Sequence, residues 1–132
     1  MKLEDLVGTI ESLPPAERSE MIELLGRYES SLKREKAQKD FMSYVKHVWP
    51  GFIEGRHHQI MAQKFEDVAN GKIKRLIVCL GPRHTKSEFA SYLLPSWFLG
   101  NFPSKKVIQC SNTAELAVGS ARKVRILISG DG

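Results

Sequence analysis

The stretch Leu80-Gly81-Pro82-Arg83-His84-Thr85-Lys86-Ser87-Glu88 constrains this chain more than any other. Before it stands a short apolar run with β-branched residues, Ile73 to Leu80 (IKRLIVCL). After it comes a run of helical character, Glu88 to Phe98. An apolar run of that length, bounded by Gly-Pro, predicts a buried parallel strand. Strand, tight polar turn ending in Lys-Ser, then helix is the layout of a phosphate-binding loop. The turn aims successive backbone N–H groups at one point, and the helix N-terminus adds positive potential there. Lys86 would reach the β- and γ-phosphates, and the Ser87 hydroxyl would take a place on Mg²⁺.

The usual pattern for such a loop is G-x-x-x-x-G-K-[ST]. Aligned on Lys86-Ser87, Leu80 stands where the first glycine belongs and Thr85 where the second does, while Gly81 is displaced by one position. Thr85 is the larger departure, because a β-branched residue disfavours positive φ. Its backbone is therefore expected to stay in an ordinary region or to carry strain. Arg83 can pair bidentately with a phosphate or form an ion pair with Glu88. His84 reads as a positioning or surface residue.

Upstream, residues 3–13 show helical spacing, and Pro14-Pro15 ends that segment and can open the next. Residues 16–35 form a second amphipathic pattern, with Met21, Ile22, Leu24, Leu25, Tyr28 and Leu32 on one side, and residues 31–40 read as a charged helix or linker. Phe41–Trp49 and His57–Asn70 predict two more helices, the second with Ile60, Met61, Phe65 and Val68 inward and Gly71 as its C-terminal cap. Pro95 is expected to kink or end the helix after the loop near Leu94. Lys106–Ser111 (KVIQCS) predicts a second strand, and Thr113–Ile128 a last helix, capped by Asn112 or Thr113. The β-α-β-α order from residue 73 onward predicts an α/β fold, a partial P-loop domain with a parallel sheet and flanking helices behind an N-terminal helical segment. The expected division is an acidic helical hairpin or appendage at 1–40 and the α/β body, the N-terminal part of a P-loop domain, at 41–132.

Charge follows the same division. Residues 1–40 carry 7 Lys/Arg against 9 Asp/Glu, and residues 41–132 carry 13 against 6. A basic body suits a polyanion such as nucleic acid or nucleotide. No apolar run reaches the roughly 20 residues needed to cross a bilayer, so no membrane association is expected. Cys79 and Cys110 fall inside the expected strands and read as buried, reduced thiols of a cytosolic protein, a disulfide being open to them only if the two strands are neighbours.

The segment GPRHTKSEFASYLLPSWFLG resembles the variant phosphate loop of tailed-bacteriophage terminase large subunits, the ATPases that package DNA. The stretches His57–Ile60, Val68–Ile77 and VIQCSNTAELA are similar to that family as well, so the resemblance covers about residues 41–128. It implies ATP and Mg²⁺ as cofactors, with Gly81, Pro82, Arg83, His84 and Thr85 wrapping the phosphates. Lys86 would contact the β/γ-phosphates and Ser87 the metal, while Arg83 would serve as sensor or arginine finger. Arg56 to Gln59 would lie on the adenine side, where the Gln59 amide can both donate and accept. A helix N-terminal surface cluster is the other reading of those four residues, and a zinc site from His57, His58 and a cysteine is not expected, since no known ligand spacing appears. Ser111-Asn112-Thr113 would lie in the ligand crevice of the sheet. The implied partners are double-stranded DNA, a small terminase subunit, a portal or procapsid and further copies in a ring, in the cytoplasm of a bacterial host.

Phosphoryl transfer also needs an acidic residue that holds Mg²⁺ and a carboxylate that activates water. No apolar run ending in paired acids lies between Ser111 and Gly132, and no nuclease carboxylate cluster is visible. The chain therefore reads as an N-terminal piece of a longer protein or a truncated frame, expected to bind nucleotide weakly without turning it over. Two alternatives stay open: a helicase-like P-loop ATPase, and a non-catalytic nucleotide- or DNA-binding interaction module.

Overall fold

The computed structural model describes residue 10 and residues 12–130. The helix expected over 3–13 lies almost wholly outside them. The chain divides into two compact units, Met1–Glu35 and Lys36–Gly132.

Helix α1 (Pro15–Lys39) opens on Pro15 and spans 25 residues, joining the two segments the sequence suggested into one helix. Proline suits this position because the first helical N–H has no partner in any case. Within Met1–Glu35 the apolar side of α1 is exposed at Ile22, Leu24 and Tyr28. Arg27–Glu23 and Lys33–Glu29 ion pairs at i,i+4 spacing line the helix.

The second unit is built of helix against helix. It contains α2 (Phe41–Val48), α3 (Arg56–Ala69), then α4 (Lys86–Glu88), which runs through a π-helical turn (Phe89–Leu93) into α5 (Leu94–Asn101), and finally α6 (Ala114–Ser129). Asp40 starts α2 by accepting from the Ser43 N–H at 2.7 Å. Gly71, at φ 76°, closes α3, its N–H reaching the Val68 carbonyl at 3.0 Å. Thr113 caps α6 by accepting from the Leu116 N–H at 3.3 Å.

The core centres on Phe41, which is fully buried. Its ring meets Phe65, Phe89 and Trp97 edge-on, with centroids 5.7, 5.7 and 5.5 Å away. Edge-to-face pairs match the positive rim of one ring to the negative face of the next. Trp97 donates its indole N–H to the Ala37 carbonyl at 3.0 Å, which satisfies the one polar atom this ring buries. Ser96 is buried too. Its hydroxyl lies 2.7 Å from the Tyr92 carbonyl and 2.9 Å from that of Leu93, so it donates to the backbone and accepts from the Tyr44 hydroxyl at 2.7 Å.

The α/β expectation is overturned. Among the described residues there is no strand and no sheet, so this is not a parallel-sheet P-loop fold. Residues 74–80 and 106–110 are irregular, and none of their backbone groups pairs with another backbone group among the described residues. A strand exists only through such a ladder. Ile77 and Ile108 are each 88% exposed, which no buried parallel strand permits. Val78 and Leu80 still lie against the aromatic core. Cys79 and Cys110 are free and exposed rather than buried.

Pro95 neither ends nor breaks its helix. The chain widens one turn early, with the Leu94 N–H reaching back to Phe89, and α5 continues with Pro95 in its first turn. Proline cannot supply the N–H that a helix presents four residues after Ser91. The Gln109 side-chain amide donates to the Ser91 carbonyl instead.

Candidate functional site

The loop Gly81–Thr85 enters α4 through alternating backbone hands. Arg83 and Thr85 both have positive φ, 64° and 54°, and they are the only described residues other than glycine that do. Thr85 thus carries the strain that the sequence allowed as one outcome. It is the residue that precedes α4 in a left-handed conformation. A run of alternating left- and right-handed residues turns successive N–H groups toward one concave side. No N–H of Arg83, His84, Thr85, Lys86, Ser87 or Glu88 makes a hydrogen bond among the described residues, and the first backbone bond of this helix is Phe89 N–H to the Thr85 carbonyl at 3.0 Å. Six consecutive donors are therefore open at one helix start.

The Thr85 side chain meets α3. The Gly55 N–H donates to His58 Nδ1 at 2.8 Å. That bond makes Nδ1 an acceptor, so neutral His58 carries its proton on Nε2. Nε2 lies 2.6 Å from Thr85 Oγ1 and donates to it, and the Thr85 hydroxyl passes its own proton to the His84 carbonyl at 2.7 Å. The chain Gly55 N–H, His58, Thr85, His84 C=O has a donor and an acceptor at every step. His58 is buried, with Phe52 and Phe89 against its ring at 4.8 and 5.2 Å. Burial, then the neighbouring His57, holds its pKa below the ordinary histidine value, against the pull of Glu54, with His84 adding to the lowering. Gly55 permits this closeness, since a side chain there would meet the His57 ring at 3.0 Å.

His84 is exposed and folds its Nδ1 back onto the Pro82 and Gly81 carbonyls at 2.9 and 3.1 Å, which closes the turn. Its ring meets His57 edge-on at 5.5 Å. Gly81, Pro82 and Arg83 are exposed, and Arg83 makes no ion pair with Glu88 among the described residues. Lys86 is half-buried and Ser87 exposed. Ser87 and Ser111 line one cavity of about 570 Å³, together with Gln109, Val107 and Leu94. Gln59 is exposed on the first turn of α3, where its amide and Lys46 hold the Glu54 carboxyl below the usual range, Lys46 the more strongly. Arg56 is exposed.

Six open N–H groups and the Lys86 ammonium suit a polyphosphate. One hydroxyl, Ser87, suits a Mg²⁺ whose other positions come from phosphate oxygens and water. No group of three or more His, Cys, Asp or Glu able to hold a metal is present among the described residues. No described helix is long and apolar enough to cross a membrane.

The sequence reading missed His58 as the partner of Thr85. The signal was its register. His58, Met61, Ala62 and Phe65 are the buried residues of α3, spaced i, i+3, i+4 and i+7, whereas Ile60, expected inward, is 56% exposed. Compared with protein-family models, with curated proteins and with solved structures, the chain matches none.

Proposed function

We propose that the loop Gly81–Ser87 binds the polyphosphate of a Mg²⁺–ATP complex, and that the chain acts in a DNA-packaging ATPase of the terminase large-subunit kind. The observation that carries this reading is the set of six open N–H groups from Arg83 to Glu88, turned by two left-handed residues at the start of a helix. Such a set binds anions whether or not glycines supply the turn. Lys86 neutralises the β/γ-phosphate oxygens, Ser87 offers one oxygen to the metal, and the exposed Arg83 reaches the γ-phosphate side. The reading rests on the loop and not on a sheet. The excess of 13 Lys/Arg over 6 Asp/Glu in residues 41–132 supports a polyanionic partner, taken here as double-stranded DNA. The small terminase subunit, a portal or procapsid, further copies in a ring, and the cytoplasm of a bacterial host belong to the same proposal through the resemblance alone.

Calorimetric titration with Mg²⁺–ATP tests it. The wild-type chain binds saturably and Lys86→Ala binds at least roughly tenfold more weakly, as expected for loss of a charge-assisted contact worth about 1.5–3 kcal/mol. Equal, negligible heats from both proteins would instead favour an interaction module without nucleotide.

A further inference from the structure

We infer that His58 is a positioning residue for the phosphate loop: its Nε2–H holds the Thr85 hydroxyl and so keeps a β-branched residue in the left-handed conformation that glycine would adopt unaided. This rests on the nucleotide-binding reading for its functional consequence, but not for its geometry.

A threonine at φ 54° is unfavourable by its own sterics. Two hydrogen bonds act against that cost, one from His58 and one to the His84 carbonyl, and both use the single Oγ1 atom. The direction of the relay is fixed from its far end, because a backbone N–H at Gly55 can only donate. His58 cannot turn away without stranding Gly55 and breaking its packing on Phe52 and Phe89.

The relay works only with neutral imidazole. A second proton on His58 must go to Nδ1, where it faces the Gly55 N–H donor and breaks that bond. The titratable groups around the ring are His57 on α3, His84 on the loop, and Glu54 on the segment before α3, itself paired with Lys46 of α2. His57 and His84 oppose the second proton and Glu54 favours it. Acid therefore loosens Thr85 and disperses the open N–H groups, so Mg²⁺–ATP affinity falls with acid, at a pH lower than that at which an ordinary histidine would titrate.

The test is a four-protein cycle of wild type, His58→Ala, Thr85→Gly and the double variant, titrated with Mg²⁺–ATP from pH 7.5 down to 5.5. On the Thr85 background, His58→Ala is expected to weaken binding roughly tenfold, the cost of one unsupported left-handed residue, and to flatten the pH dependence. On the glycine background the same substitution changes affinity less than about twofold, since glycine needs no support. A loss of equal size on both backgrounds would make His58 a merely structural residue and overturn the inference. Nuclear magnetic resonance of the nucleotide-free protein gives an independent readout. The His58 ring nitrogens should report the Nε2–H tautomer, and Thr85→Val, which keeps the shape and removes the hydroxyl, should shift Nε2. An Nδ1–H tautomer, or ring signals indifferent to Thr85→Val, would refute the relay even if nucleotide binds. Absence of nucleotide binding in all four proteins, with the tautomer as stated, would refute the nucleotide reading and leave the relay standing.

Discussion

The side-chain amide of Gln109 donates to the Ser91 carbonyl, four residues before the proline that cannot reach it. One residue from the irregular segment 106–110 thereby supports the turn at which the helix changes register. Gln109→Ala leaves that half-buried carbonyl without its donor and is expected to lower stability by about 1 kcal/mol. Restoring a backbone N–H with Pro95→Ala should reduce that loss, so the two substitutions are non-additive in urea denaturation. Additive effects would show that a backbone N–H at position 95 does not take over the role of the Gln109 donor.

Phe41 is the pivot of the aromatic core, and Phe41→Ala is expected to cost about 3–5 kcal/mol. That is a large share of the 5–15 kcal/mol typical of a whole domain, so thermal unfolding should move to much lower temperature or lose cooperativity. Ile60→Ala, on the exposed face of α3, should stay within about 0.5 kcal/mol of wild type. A large loss at Ile60 would contradict the orientation of α3.

Glu66 accepts the Phe41 N–H at 2.8 Å, yet burial outweighs that bond and, with Asp40 and Asp67 nearby, raises its pKa above the ordinary carboxyl value. The folded state therefore holds the proton more tightly than the unfolded chain. The stabilising contribution is fully present below the unfolded value of 4.5 and is lost as pH rises through the higher folded value. Glu66→Gln keeps an acceptor for Phe41 without a charge, so its stability relative to wild type should increase as pH rises from 4 to 7 in paired thermal melts. A difference that does not change with pH would contradict the direction of the shift.

Local features of this fold were legible in the sequence. Helical period, the proline at the start of α1, the threonine cap at 113 and the glycine at 71 each act through neighbours a few residues away. The turn at Gly81–Thr85 was legible for the same reason, and so was the strain at Thr85 as one of two outcomes. The strands were not, because a short apolar run with β-branched residues is a strand only if a ladder forms, and pairing is not a property of the run itself. Ile77 and Ile108 fit a buried strand by type and are exposed in fact. The relay from His58 to Thr85 joins residues 27 apart, and only the buried stripe of α3 pointed to it. The donor that meets the Ser91 carbonyl in the π-helical turn is Gln109, a residue beyond the reach of any local rule for Pro95.

The open donors at the start of α4 give the most direct test of the central claim. Backbone amide resonances of residues 83–88 should be followed by nuclear magnetic resonance as Mg²⁺–ATP is added to the wild-type chain and to Lys86→Ala. Saturable shifts concentrated in these six residues and strongly reduced in the variant are expected. Shifts that are absent, that fall mainly elsewhere, or that are equal in both proteins would contradict the claim.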